Sequence, residues 1–270
     1  MKKILTALAL ALAAITGAQA QAWPSKPVTL LLPFPAGGST DAIARAVGPK
    51  LQEKLGSTFI VDNKGGAGGT VGAGLAKRAA PDGCTIFVSS LGPLVIGPHL
   101  VKGVTYDPLK DFDYVTLAVQ APNVLAVPAS SPHKTLADVV AHHKAHPGKM
   151  SFASAGNGTS DHLTAELFWQ VTGTSGQHIP YKGGAPAMSD LLGDQVDASF
   201  MNINTGITNS KAGKLRAALV SALNEPSVKG KLLELGFEIV ANTPEQLTAF
   251  QASEFARWKK VIEVGKITAD

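Results

Sequence analysis

The chain has 270 residues, 45% hydrophobic and 16% charged. That balance suits a globular core and excludes a disordered chain, which would combine low hydrophobicity with high net charge. The 28 Gly and 17 Pro follow no fixed period, so collagen-like and low-complexity readings fail, and the length fits about two domains. Formal net charge is +4. Setting aside Lys2 and Lys3 of the leader described next leaves 22 of the 24 basic residues against 20 acidic ones. So small an excess is a weak pointer to an anionic partner and gives no ground for a nucleic-acid binder.

Lys2 and Lys3 precede an apolar run at residues 4–15, and Ala18-Gln19-Ala20 offers a small-residue cleavage site. The run is too short to span a bilayer, so residues 1–20 read as a secretory signal peptide and the mature chain is expected outside the cytoplasm. No later run reaches 18 apolar residues, and no membrane insertion of the mature chain is expected. Cys84 is the sole cysteine. Lying in the apolar run CTIFVSS, it reads as a buried thiol rather than a nucleophile.

Residues 28–32 (VTLLL) form a continuous apolar run, the pattern of a strand covered on both faces. Pro33 to Gly38 break it, and Ser39 or Thr40 can start a helix whose apolar stripe is Ile43, Val47, Leu51 and Leu55, ended by Gly56. Strand 58–61, helix 70–78 and strand 84–89 complete a βαβαβ unit. A second unit follows: strand 124–127, a helix capped by Thr135 with Asp138 at N3, strand 151–154, helix 160–171, strand 177–180, helix 185–192 and strand 196–200. Thr243-Pro244-Glu245-Gln246 starts a last helix, with Leu247, Phe250, Phe255, Trp258 and Ile262 on its packed face.

Four glycine-rich segments stand between a strand and a helix: residues 36–41, 65–70, 155–160 and 182–185. A helix N-terminus carries unpaired N–H groups and partial positive charge, and glycine lets a ligand approach the backbone. Such loops bind carboxylate or phosphate, and in open α/β sheets they gather at the carboxyl ends of strands. Four of them in two α/β halves point to a shared cleft. Nucleotide readings fare worse. There is no GxxxxGK[ST]; Gly66, Gly68 and Gly72 give a loose GxGxxxG, but Ser89-Ser90 stands where a dinucleotide site needs an acid. His142, His143 and His146 read as a solvated helix end rather than a metal site, and no metal or cofactor is expected. Phe152 stands where a GxSxG elbow around Ser154 needs its first glycine, so no hydrolase nucleophile is named. His162, in the first turn behind a glycine loop, either faces the cleft or orients the loop.

The leader, WPSKPVTLLLPFPAGGSTDAIAR, VDNKGGAGGTVGAGLAKRAAPDG, SFASAGNGTSDHLTAELF, IPYKGGAPAMSDLLGDQVDASF and the closing TPEQLTAF…RWKKVIE together resemble the Bug, or TctC, family of periplasmic receptors of tripartite tricarboxylate transporters. The resemblance covers nearly the whole mature chain. It implies a two-lobed α/β Venus-flytrap fold of the type II-like periplasmic binding proteins, each lobe a doubly wound sheet. Lobe 1 would be residues 23–121 plus 218–270, and lobe 2 residues 122–217. It implies no enzyme activity but capture of a small carboxylate (a di- or tricarboxylate, acidic amino acid or aromatic acid) and delivery to a two-subunit membrane permease. Carried over, the ligand-binding residues are Ala36, Gly37, Gly38, Ser39, Thr40, Asp41, Ser89, Ser90, Ala155, Gly156, Thr159, Ser160 and His162. The N–H groups of Gly37, Gly38, Gly156 and Thr159 would serve as carboxylate donors, with the Ser39 and Thr159 hydroxyls beside them. Asp41 would orient its loop.

Two departures from the family pattern stand out. Met201-Asn202 replaces an acid after DASF. At Arg216-Ala217-Ala218 several dozen residues of the family pattern are missing, among them one returning connection to lobe 1, and residues 214–224 read as a strained splice from strand to helix. Alternatives are a non-transporting ligand sensor, a truncated and impaired receptor and, less favoured, an NAD-dependent oxidoreductase.

Overall fold

The computed structural model describes residues 23–217, 238–239, 244–265 and 267. The signal-peptide reading, most of the splice and the Thr243 cap lie outside the described residues. The first α/β unit runs β1 (Val28–Leu32), α1 (Ser39–Leu55), β2 (Phe59–Asn63), a 3-10 turn at Ala67–Gly69, α2 (Thr70–Lys77) and β3 (Thr85–Phe87). Its sheet is parallel in the order β2-β1-β3, which is what right-handed βαβ crossovers produce. A π-helical turn (Gly92–Ile96) and the short α3 (Gly97–Leu100) follow.

After β4 (Val119–Gln120), the second unit runs β5 (Asn123–Pro128), α4 (Leu136–Ala145), β6 (Ser151–Ser154), α5 (Ser160–Thr172), β7 (Gln177–Pro180), α6 (Gly184–Leu192), β8 (Ala198–Asn202), α7 (Ile203–Lys211) and β9 (Leu215–Ala217). Its five-stranded sheet has the order β7-β6-β8-β5-β9, with β5 antiparallel to β8 and β9. A separate antiparallel pair joins β4 to β10 (Glu238–Ile239), and α8 (Pro244–Gly265) closes the described chain.

Several sequence expectations are met by local chemistry. Thr135 and Asp138 form the reciprocal capping box at the start of α4. Gly56 ends α1 in the left-handed region at φ 65°. Cys84 is buried. Phe255, Trp258 and Ile262 of α8 pack with Val95 and Ile96 of the π turn and with Leu163 of α5, so the last helix touches both units. The second sheet is covered on both faces, by a Phe152-centred aromatic cluster and by the Val124, Leu191 and Met201 cluster.

Other expectations need correction. The buried side of α1 is Thr40, Asp41, Ala44 and Gly48 rather than the expected large apolar stripe. Small residues let the helix approach β1, where a Cβ at Gly48 would stand 3.5 Å from Leu30. Ile43, Val47 and Leu51 flank that contact half-buried, and Leu55 is exposed. His143 does not share the solvated end of α4. It is fully buried, its Nδ1 3.1 Å from the Ser175 carbonyl, with Phe152 and Phe168 edge-on. Strand β8 lies two residues later than expected, and α7 was not anticipated, because INTGITNSK has too few apolar residues to show a helical period.

Candidate functional site

The loop Phe34–Gly38 carries the chain from β1 into α1. Asp41 holds it: its Oδ2 accepts the Gly37 N–H (3.0 Å) and the Arg45 Nε–H (2.9 Å), and its Oδ1 accepts from Asn63 (3.3 Å). Burial pushes the Asp41 carboxyl up, but Arg45, the Gly37 amide and Asn63 together outweigh it and hold it below the usual carboxylate range. No side chain caps α1, and its first backbone bond is Ala42 N–H to Gly38 O (3.0 Å). The preceding amides therefore present the positive end of a 17-residue helix to the cleft. Beside them the Thr40 Oγ is buried with no hydrogen-bond partner, on a residue only 5% exposed. An orphaned buried hydroxyl of this kind calls for an absent partner.

The second unit answers across the cleft. Ser39 Oγ lies 3.0 Å from Asn202 Oδ1, 3.0 Å from Asn204 Oδ1 and 3.3 Å from Thr205 Oγ. Asn202 is oriented for this because its amide donates to Asn123 Oδ1. These contacts close a chamber of about 60 Å³ lined by Gly38, Ser39, Thr40 and Ser90 from one side and by Ala155, Thr159, Ser160, Asp161 and Asn202 from the other. A larger cleft of about 220 Å³ adjoins it through Phe34 and Ala155, with Gly68, Gly156, Tyr181 and Lys182 among its walls.

Seven of the thirteen sequence-predicted residues thus line the small chamber, and Ala155 and Gly156 line the larger cleft. Ala36, Gly37, Asp41, Ser89 and His162 line neither. Three of the four expected amide donors are already engaged. Gly37 N–H serves Asp41, Gly156 N–H donates to Ser154 Oγ (3.1 Å) and Thr159 N–H donates to Gly156 O (3.3 Å). The Thr159 hydroxyl is engaged as well, donating to Gly156 O (2.8 Å) while capping α5 at His162 N. Such tight loops use up their own donors to hold their shape. Gly38 N–H alone of the four makes no hydrogen bond among the described residues.

His162 orients the loop rather than facing the cleft. It is buried, its Nδ1 accepts the Gly158 N–H (3.2 Å), its Nε2 faces Glu166 (3.6 Å), and it stacks on His178 at 3.9 Å. Ser154 Oγ and His178 Nε2 lie 2.6 Å apart, a serine–histidine pair the sequence did not disclose. Burial and the neighbouring His162 push His178 down to about 3, Ser154 is fully buried, and neither lines the cavities, so the pair is a support for the glycine loop. Two glycines of the loose GxGxxxG pattern are explained by packing. A Cβ at Gly68 would stand 2.0 Å from Asn157 O of the facing unit, and one at Gly72 2.7 Å from Pro33 Cα. No group of three or more metal-ligating side chains occurs among the described residues, and no helix among them is long and apolar enough to cross a membrane.

The residues missed by sequence reasoning are Asp161, Asn202, Asn204 and Thr205. For Asn202, Asn204 and Thr205 the signal was a polar run at the end of β8, at the carboxyl edge where α/β ligands sit; Asp161, in the first turn of α5, had none. Burial pushes the Asp161 carboxyl up to about 6, against the opposing Ala155 N–H and Ser160 hydroxyl.

Two facing α/β units with a cleft between them are the architecture of extracytoplasmic solute-binding receptors, and solved structures place the chain there. It superposes on the periplasmic binding protein BugD with TM-score 0.78 and 27% identity, over 91% of this chain and 99% of that one. It superposes on an R. palustris protein with adipate with TM-score 0.82 and 26% identity, over 91% and 99%. The profile described as "Tripartite tricarboxylate transporter family receptor" matches residues 43–220, and the chain belongs to that family of receptors, which are not enzymes. A relative from Pseudomonas sp. strain P51, the "UPF0065 protein in tcbD-tcbE intergenic region", is 32% identical over 322 aligned positions spanning 100% of this chain and 96% of that protein. A 270-residue chain stretched over 322 positions leaves about 52 of them without a residue of this chain.

The raised Asp161 carboxyl predicts a pH signature. Its folded pKa of about 6 exceeds the unfolded value near 3.8, so the folded form binds more protons between the two. Asp161 therefore penalises the fold as pH rises through about 6, by up to about 3 kcal/mol at 1.36 kcal/mol per unit. Thermal melts of Asp161→Asn should exceed the native melting temperature at pH 8, and the gain should shrink at pH 4.5. A gain independent of pH would contradict a buried ionised carboxyl.

Proposed function

We propose that this receptor captures a small carboxylate in the chamber between α1 and α5 and hands it to a two-subunit permease of the tripartite tricarboxylate type. The carrying observation is the uncapped N-terminus of α1 with the partnerless Thr40 hydroxyl beside it, enclosed by the Ser39 contacts to the opposite unit. Amide N–H groups, a helix dipole and a spare hydroxyl are complementary to a carboxylate and need no cationic side chain. Adipate in a structurally similar relative supports the same ligand chemistry. On this reading residues 1–20 export the chain to the periplasm, residues 23–121 with 218–270 make one lobe, and 122–217 make the other. The packing of α8 on the π turn and α3 supports the first assignment.

A screen of the mature protein against carboxylic acids tests this. A true ligand at 100 times its Kd stabilises by about 2.7 kcal/mol, read as a raised Tm. Thr40→Val should fold and lose about tenfold or more in affinity, as expected for a hydrogen bond to a charged group. No shift with any acid, or full affinity in the valine variant, would contradict the proposal.

A second reading, that the chain is a shortened and impaired receptor, has its own support. The first sheet has three described strands where the second has five, the family match ends at residue 220, and the aligned relative carries about 52 more positions. Limited proteolysis separates the readings. An intact receptor resists as one body and resists further with ligand, whereas an impaired one leaves a core confined to the second unit, residues 122–217.

A further inference from the structure

Two imidazoles lie face to face behind the glycine loop at residues 155–159, and both hold that loop as hydrogen-bond acceptors. His162 of α5 and His178 of β7 stack with ring centroids 3.9 Å apart and planes 9° from parallel. His162 Nδ1 accepts the Gly158 N–H (3.2 Å), so its own proton sits on Nε2, 3.6 Å from Glu166 Oε1. His178 Nε2 lies 2.6 Å from Ser154 Oγ, which in turn accepts the Gly156 N–H (3.1 Å). The Ser154 hydroxyl has a single proton to give. Its other acceptor, Gly156 O at 3.3 Å, already takes the Thr159 hydroxyl (2.8 Å) and the Thr159 N–H (3.3 Å), and a carbonyl oxygen has two lone pairs. The serine proton therefore goes to His178, whose Nε2 must be bare to receive it. The loop is tied to the stack twice, by Gly156 through Ser154 to His178 and by Gly158 to His162.

A proton at either acceptor nitrogen breaks a tie. At His162 Nδ1 it would meet the Gly158 N–H, donor against donor. At His178 Nε2 it turns the serine into an acceptor and leaves the serine proton only the filled Gly156 carbonyl. His162 is fully buried, whereas His178 is half-buried, so solvent reaches the pair at His178. Burial and the neighbouring His162 push His178 from its ordinary 6.5 down to about 3 while the loop is in place. The other titratable groups around the pair are committed elsewhere. On α5, Glu166 faces His162, and Asp161 accepts from Ala155 and Ser160. After β7, Tyr181 donates to Asp190 and Lys182 lines the larger cleft. On α8, which packs against α5 at Leu163, Glu254 holds Arg257 and Trp258, and Glu263 faces Lys259. We propose that the His162–His178 stack is an acid-sensitive latch: with His178 neutral it fixes loop 155–159, and a proton taken up at His178 releases the loop. The released loop binds more protons than the fixed one between pH 6.5 and about 3, so fixing is favoured above 6.5 and loses about tenfold per pH unit below it. Asp161 acts in the opposite sense, because acid relieves its buried charge. Ala155 and Thr159 line the chamber, so on the carboxylate-receptor reading, which this deepens, capture weakens on the acid side of neutrality.

Amide hydrogen exchange on the mature protein tests the latch without any ligand, so its failure and that of the carboxylate reading are separate results. After correction for intrinsic exchange, the opening equilibrium of the Gly156 and Gly158 amides should rise tenfold or more between pH 6.5 and 4.5. It should stay well above that of β5 amides such as Leu125, which report opening of the whole unit. His178→Gln keeps an acceptor for the Ser154 proton but does not titrate, and should remove most of the rise. Asp161→Asn should keep it. An opening equilibrium that does not change with pH, a rise that survives in His178→Gln, or loop amides that open only together with β5 would overturn the latch. Should His178→Gln not fold, NMR titration of the unsubstituted protein decides. The Gly156 and Gly158 amide signals should move with the same midpoint as the His178 ring, and a ring that titrates while those amides stay still overturns the proposal.

Discussion

Everything in this receptor turns on the unsatisfied start of one helix. α1 begins without a side-chain cap, the Thr40 hydroxyl beside that start is buried without a partner, and residues of both units line the chamber there. A buried polar group without a partner costs about 1–3 kcal/mol, so the fold holds this arrangement at a cost in stability. The loop around it is built to keep the amides free. Asp41 accepts from Gly37 and Arg45, and no side chain caps the helix it belongs to, which is the feature the proposed carboxylate site rests on.

The glycine loops divide into two jobs once their packing is known. Around Gly156 and Thr159 the donors are consumed within the loop, and Ser154, His162 and His178 brace it from behind. Around Gly68 the absence of a side chain lets the two units meet backbone to backbone at Asn157. Ser39 joins them a second time through Asn202 and Asn204. On the proposed reading recognition and closure are adjacent but chemically separate: one helix terminus would meet the ligand, while Gly68 and Ser39 are where the two halves touch.

Most of the architecture was legible in the residues. Continuous apolar runs such as VTLLL gave the parallel strands, Thr135 with Asp138 gave a helix start, and Gly56 gave a helix stop, because each is a local signal. The site was legible as loops but not as atoms. Whether an amide is free depends on contacts such as Asp41 with Gly37 that hydrophobic periodicity does not encode. The burial of His143 and of Asp161 arises from long-range packing that no local pattern announces, whereas the polar run at Asn202 to Thr205 was a local signal at the end of a strand. The small-residue face of α1 misled for the same reason: Ala44 and Gly48 are buried by proximity to β1, not by size.

A crystal structure of the mature protein with a bound acid tests the central claim most directly. The account requires a carboxylate oxygen within hydrogen-bonding distance of Thr40 Oγ and of the first amides of α1, with Ser39 still facing Asn202 and Asn204. A carboxylate seated elsewhere, with the Thr40 hydroxyl still alone, would contradict it.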